Sequence, residues 1–199
     1  MSLGAGLLVL VVASCAGAPT ASSVPSAVDT THTSARDLPS AALAQGPLRM
    51  AASVPVRVQI PAIGVDAELM RLGLQADGTM EVPPGGFPAG WFDGAPTPGE
   101  LGPAVIAGHV DWAGPGVFAE LAQVSAGDEI RVVRTDGTAP VFVVTAVEEH
   151  PKDLFPSAAV YGDIEHAGLR LITCGGEWDP EVLHYRANVV VFAELVRPG

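Results

Sequence analysis

The chain has 199 residues, enough for one compact core and an accessory segment but too few for two ordinary domains. Hydrophobic residues make up 48% and charged residues 16%, which suits a folded core with loops, while 23 Gly and 18 Pro argue against long helices and favour a mainly β fold. The net charge is -12; Asp29 and Asp37 cancel Arg36 and Arg49, so the acidic excess lies after residue 50, and with Lys152 as the sole lysine there is no basic stripe for nucleic acid.

Leu3 to Ala13 is an apolar run about the length of a signal-peptide core and short for a bilayer span. It ends in Val12-Ala13-Ser14-Cys15, which resembles the lipobox of bacterial lipoproteins, although no Lys or Arg precedes it. Residues 1–15 are therefore expected to be an export signal or a short membrane anchor. Residues 16–53, rich in Ala, Ser, Thr and Pro, lack the apolar surface to fold alone and read as a disordered tether. Such a chain has an r.m.s. reach of roughly 35 Å.

From Val54 to the end, short β-type runs alternate with turn residues, the pattern of a sandwich or barrel. Strands are expected at Val56–Ile60, Val65–Leu69, Pro103–Ala107, Glu129–Val133, Val141–Val147, Leu169–Thr173 and Asn188–Leu195, with one short helix at Val117–Val124. Asp77-Gly78, Asp136-Gly137 and the Pro/Gly clusters at 83–90 and 96–103 supply turns.

The two cysteines could pair, as is common in exported proteins. If Cys15 is lipidated, cleaved off or held in a membrane, however, Cys174 is left without a partner. A free Cys is often a small core hydrophobe, yet Cys174 is expected at the end of the strand Leu169–Thr173, followed by Gly175-Gly176, which would let the backbone turn and a substrate approach. Arg186, twelve residues further on, opens the last apolar strand and is either a solvated edge residue or a partner of the thiol. A thiol nucleophile needs a proton partner. Among five histidines, His109 is the one that follows a buried-type strand and meets a loop; His32 lies in the tether, and His150, His166 and His184 in polar loop stretches. Metal ligation through His109 and Asp111 lacks a second His at ligand spacing, and no metal is expected.

Three blocks, Ala107-Gly108-His109-Val110-Asp111, Leu171-Ile172-Thr173-Cys174-Gly175-Gly176 and His184-Tyr185-Arg186-Ala187-Asn188-Val189-Val190-Val191, resemble the signature blocks of sortases, closest to the class F group. The resemblance runs from about Val54 to Leu195. It implies a sortase catalytic domain over residues 54–199, an eight-stranded β-barrel with one or two short helices, and His109, Cys174 and Arg186 converging on a groove at one end. It further implies substrate contacts from Asp111, Phe155, Tyr161 and Thr173, with Pro151 to Pro156 in the loop that covers the substrate's apolar residues. Ala187 stands where many relatives carry an acidic residue, and Glu177-Trp178-Asp179-Pro180 replaces a more usual Phe-Asp.

The implied chemistry is acyl transfer through a thioester, with no cofactor, cleaving an LPXTG-like sorting signal at Thr-Gly. The acceptor would be an amine such as a cell-wall precursor, or water, and the place of action the extracytoplasmic face of a bacterial cell membrane. Two alternatives stand beside it. One is an L,D-transpeptidase, whose Ser-His-Gly-Cys type block is absent around Cys174; the other is a non-enzymatic surface lipoprotein with a peptide-binding barrel.

Overall fold

The computed structural model describes residues 47–199, so the readings made for the apolar run, the Cys15 block and the tether as far as residue 46 lie outside the described residues. Eight strands form: β1 (Pro55–Ile60), β2 (Val65–Leu72), β3 (Ala89–Phe92), β4 (Gly102–Ala107), β5 (Glu129–Arg134), β6 (Val141–Pro151), β7 (Ala167–Asp179) and β8 (His184–Arg197). They close into a barrel in the order β1-β2-β3-β4-β7-β8-β6-β5, the mainly β fold expected from the strand pattern and the eight-stranded barrel implied by the family resemblance.

Period-2 alternation fills the barrel. Val58 and Ile60, Ala104 and Ile106, Ile130 and Val132, Leu169 and Leu171, and Val191 and Ala193 point inward and are buried. On β4, β7 and β8 the opposite face is covered as well, since Val105, Ile172 and Val190 pack beneath Val160 and Phe155. Burial on both faces is why these strands read as near-continuous apolar runs.

Two neighbouring pairs in the ring, β2 with β3 and β4 with β7, are parallel. β6 and β7 also run parallel to one another, because both lie antiparallel to β8. A parallel pair cannot be joined by a tight hairpin, so the chain must return along the outside of the barrel. Residues 73–88 make one such return and residues 152–166 another. The second carries the helix α1 (Ser157–Tyr161).

Several elements differ from expectation for local reasons. Val117, Phe118, Leu121 and Val124 have helical spacing and are buried, yet only Leu121–Gln123 winds, as a single 3-10 turn between Gly116 and Gly127. The segment is too short to repay helix nucleation. The α1 helix lies instead where five residues offer no readable period. β3 hides inside a Pro/Gly cluster and is held by its parallel ladder to β2 rather than by its own pattern. His150 belongs to β6 and His184 opens β8, where loops were expected.

The first described residues are fastened to the barrel. Met50 N donates to Gly99 O at 2.7 Å and Ser53 N to Thr97 Oγ1 at 3.0 Å. Arg134, buried at the end of β5, donates to Ala51 O at 2.9 Å, Pro98 O at 3.1 Å and Thr138 Oγ1 at 2.9 Å, and pairs with Asp136 at 2.8 Å. A buried guanidinium is tolerable only with its donors used in this way. Among the described residues no helix is long and apolar enough to cross a membrane.

A chain starting at residue 47 should therefore be more stable than one starting at 54, which lacks the Ala51 acceptor and the Ser53 bonds. Arg134→Ala should cost about 3 kcal/mol in the longer chain and less in the shorter one, where the Ala51 bond is already gone. Urea titrations of the four proteins would decide it; equal midpoints for the two starting points would show that the arm adds nothing.

Candidate active site

The site is assembled where β4 ends beside β7. Their parallel register reaches Ala107 opposite Ile172, and Gly108 N extends the ladder by donating to Ile172 O at 3.0 Å. This fixes His109 next to Thr173 and Cys174, although the two segments are far apart in sequence. Position 108 must be glycine, because a Cβ would lie 2.5 Å from Val117 Cγ1 and 2.7 Å from Phe118 Cδ2. The chain passes directly over the side chains that close the core.

His109 is half-buried and held on two sides. Its Nε2 lies 2.8 Å from Pro83 O, and since a carbonyl oxygen only accepts, Nε2 carries the hydrogen. Its ring leans against Trp112 with centroids 4.8 Å apart.

Cys174 pairs with Asn188 of β8 and shares the outer face of β7 with Arg170 and Ile172. It is half-buried and carries a free thiol. The strand does not stop at Thr173, as expected, but continues to Asp179 through a register shift between Gly175 and Trp178. Gly176 makes that bulge possible, with φ +71 and only 2.8 Å between a would-be Cβ and Ala187 Cβ. The glycines thus serve the approach of β8 first. Exposure of the thiol comes from the outward row it occupies, not from a strand end.

A groove of about 410 Å³ runs over this row. His109, Thr173, Cys174 and Asn188 line its base, Phe155 and Tyr161 from the 152–166 return one wall, and Met80, Val82 and Pro83 from the 73–88 return the other. Burial raises the Tyr161 phenol above its ordinary pKa, so it stays neutral. Thr173 takes part in the lining, yet by alternation its side chain belongs to the inward row of Leu169 and Leu171. Its buried Oγ1 has no partner among the described residues.

Two of the expected site residues lie elsewhere. The Arg186 side chain pairs with Asp179 at 2.8 Å and lines a neighbouring cleft of about 520 Å³ with Glu149 and Asp153, while Lys152 borders both cavities. Arg186 stands two residues before Asn188, hence on the face that carries Cys174. Asp179 is held below the usual carboxylate range, chiefly by the Glu181 N–H at 2.9 Å and secondarily by Arg186. Asp111 is absent from the groove lining; its Oδ2 accepts from the Tyr185 hydroxyl at 2.7 Å.

Pro83, Trp112, Asn188 and Arg170 escaped the sequence reading. Arg170 had the clearest signal, a charge inside an apolar strand two places before Ile172 and four before Cys174. It is buried with its guanidinium 4.7 Å from the Phe192 ring centroid, and it donates to Leu169 O at 3.1 Å and Ala159 O at 3.4 Å. The last bond fastens α1 over the groove. Among the described residues no three His, Cys, Asp or Glu side chains gather as a metal set.

The description of the sortase domain matches residues 58–196. Among solved structures, the chain is similar to a lid mutant of sortase A from Corynebacterium diphtheriae, with 21% identity, a TM-score of 0.57, and coverage of 74% of this chain and 73% of that one. It is similar also to sortase C of Streptococcus pneumoniae, at 20% identity and TM-score 0.55, covering 71% and 66%. Sortase C1 of pilus island 1 of group B Streptococcus gives 19% identity and TM-score 0.55, covering 75% and 68%. No curated protein sequence matches. At these identities the solved structures speak for the barrel alone, but the domain match spans most of the chain, and this protein belongs to the sortase family of cysteine transpeptidases.

Proposed function

We propose that this protein is a sortase of the class F type that cleaves an LPXTG-like sorting signal between Thr and Gly and passes the acyl group to an amine or to water. The observation that carries the reading is the groove itself: His109 and Cys174, 65 positions apart in the chain, line one mostly apolar channel of about 410 Å³. The class assignment rests on the three sequence blocks. Action at the outer face of a bacterial membrane rests on the export-type run at residues 3–13. Phe155, Tyr161 and Val82 offer apolar walls for the Leu and Pro of such a signal, and Thr173 borders the reacting end. A direct substrate contact from Asp111 has less support, because its carboxylate already takes the Tyr185 hydroxyl.

In this mechanism the Cys174 thiolate attacks the Thr carbonyl carbon and forms a C–S bond. As the tetrahedral adduct collapses, the C–N bond breaks and the amine leaves with a proton from His109. With Nε2–H committed to Pro83 O, that proton comes from Nδ1, and the neutral tautomer left behind keeps its bond to Pro83. An amine or water then attacks the thioester, returning the thiolate and giving its proton to His109. Arg186 would stabilise the oxyanion. To do so it must leave Asp179, an exchange that is inexpensive because the guanidinium is largely exposed. The alternative of a barrel that binds peptides without chemistry predicts groove occupancy with no adduct. An L,D-transpeptidase has no support in a sortase domain.

Incubating the full-length protein with sorting-signal peptides should yield a thioester adduct by mass spectrometry. Cys174→Ala should abolish it with the fold intact, and cleavage surviving that change would overturn the mechanism. His109→Ala should slow turnover about 10² to 10⁴-fold.

Arg186→Lys should fall short of the wild-type rate, because an ammonium cannot reproduce a planar two-bond fork; full activity in Lys would make Arg186 a strand-edge solubiliser. Asp179 gives a separate pH test. A carboxyl held below its ordinary range stabilises the fold above the unfolded-state value near 4 and loses that contribution as pH falls through the folded value. The melting temperature of the wild type should therefore exceed that of Asp179→Asn at pH 6, and the gap should close toward pH 3. A gap that persists in acid would exclude the charge as its origin.

A further inference from the structure

We infer that Tyr185, acting through Asp111, is a positioning residue for His109. The inference rests on the acyl-transfer reading, in which imidazole and thiol must be held at a working separation although they sit on different segments.

The loop after β4 is pinned firmly at its inner end. Phe118 N donates to His109 O at 3.0 Å, Gly116 N to Val110 O at 3.0 Å and Val117 N to Gly86 O at 2.9 Å. Its outer end is a tight turn, bridged between Asp111 and Pro115 and closed by Trp112 N donating to Gly114 O at 2.7 Å, with Ala113 at φ +51. That turn carries Trp112, the ring that leans against His109 with 46° between planes. Whatever fixes Asp111 also fixes its neighbour Trp112, and with it one face of the imidazole.

What fixes Asp111 is a residue of the thiol's own sheet. Tyr185 Oη donates to Asp111 Oδ2 at 2.7 Å, and Tyr185 lies on β8 three residues before Asn188, the register partner of Cys174. The phenol is braced in turn by Trp178, ring centroids 5.2 Å apart and 71° between planes. A continuous set of contacts therefore runs from Cys174 through β8 to Tyr185, Asp111, Trp112 and His109. The hydroxyl remains a donor, since its bond to Asp111 and the nearby Cys174 both disfavour the phenolate.

Tyr185→Phe removes the bond and keeps the ring against Trp178. In the full-length protein it should lower kcat about tenfold, the scale expected for a slightly misplaced catalytic group, with KM and the alkylation rate of Cys174 by a small neutral reagent unchanged. Asp111→Ala should lose as much, the double variant no more than either single one, and Asp111→Asn, which keeps an acceptor, should recover part of the loss. Amide exchange over residues 109–116 should quicken in Tyr185→Phe. A wild-type kcat, or losses that multiply in the double variant, would overturn the inference, and a rise in KM alone would make the pair a substrate contact. If the wild type forms no thioester with any peptide, the acyl-transfer reading falls, while the exchange measurement still decides whether Tyr185 holds the His109 loop.

Discussion

The parallel ladder between β4 and β7 is the constraint on which the groove depends. It sets Ala107 beside Ile172, and a single further bond, Gly108 N to Ile172 O, delivers His109 to the level of Cys174. A shift of one residue would turn the outward row of Arg170, Ile172 and Cys174 into the barrel and bring Leu169, Leu171 and Thr173 out. Burial of the two leucines in the core opposes any such shift. The separation of imidazole and thiol is therefore guarded by hydrophobic packing some distance below the site, and the polar contacts at the rim only refine it.

Parallel pairing also supplies the walls. Because β2 with β3 and β6 with β7 cannot be joined by hairpins, the chain makes two long returns, and both pass the mouth of the groove. One brings the Pro83 carbonyl to His109 and the other brings Phe155 and Tyr161 over Cys174. Arg170, buried with no salt bridge among the described residues, donates to the main-chain carbonyls of Leu169 and Ala159 and so holds the second return against the sheet. A charge placed this deep is costly in a strand that needs only apolar residues for stability. Its position two places from Ile172 fits a role in the shape of the groove.

The barrel was largely legible in the sequence because its strands obey period-2 burial or run apolar on both faces; the expected cores of seven strands lie inside the observed ones. What escaped were features set by distant partners. β3 owes its form to β2, and α1 to the return it sits on. The site residues divide in the same way. His109 and Cys174 stood out as a strand-flanking pair of chemically competent types, whereas Pro83 contributes a backbone carbonyl, to which no residue type is a guide. The expectation that Cys174 ends a strand took the two glycines as a terminus, when they form a bulge inside a longer ladder. Arg186 shows the limit of register: its place on the face that carries Cys174 was readable, but the direction of a long exposed side chain is chosen by Asp179, at the end of the β7 extension that the sequence did not reveal.

The arm at residues 50–53 has a mechanical consequence. Any tension carried along the chain from upstream of residue 50 meets the Met50 bond to Gly99, the Arg134 bond to Ala51 and the Ser53 bond to Thr97 before it reaches the first rung of β1. These bonds attach the arm to the turn before β4 and to the end of β5, on strands other than β1, so the load is shared between separate parts of the barrel wall. A pull would have to strip the arm from its carbonyls and from a buried guanidinium before β1 could begin to peel. The barrel is thereby buffered against tension entering from that end, and the register that aligns His109 with Cys174 lies beyond the first parts to yield.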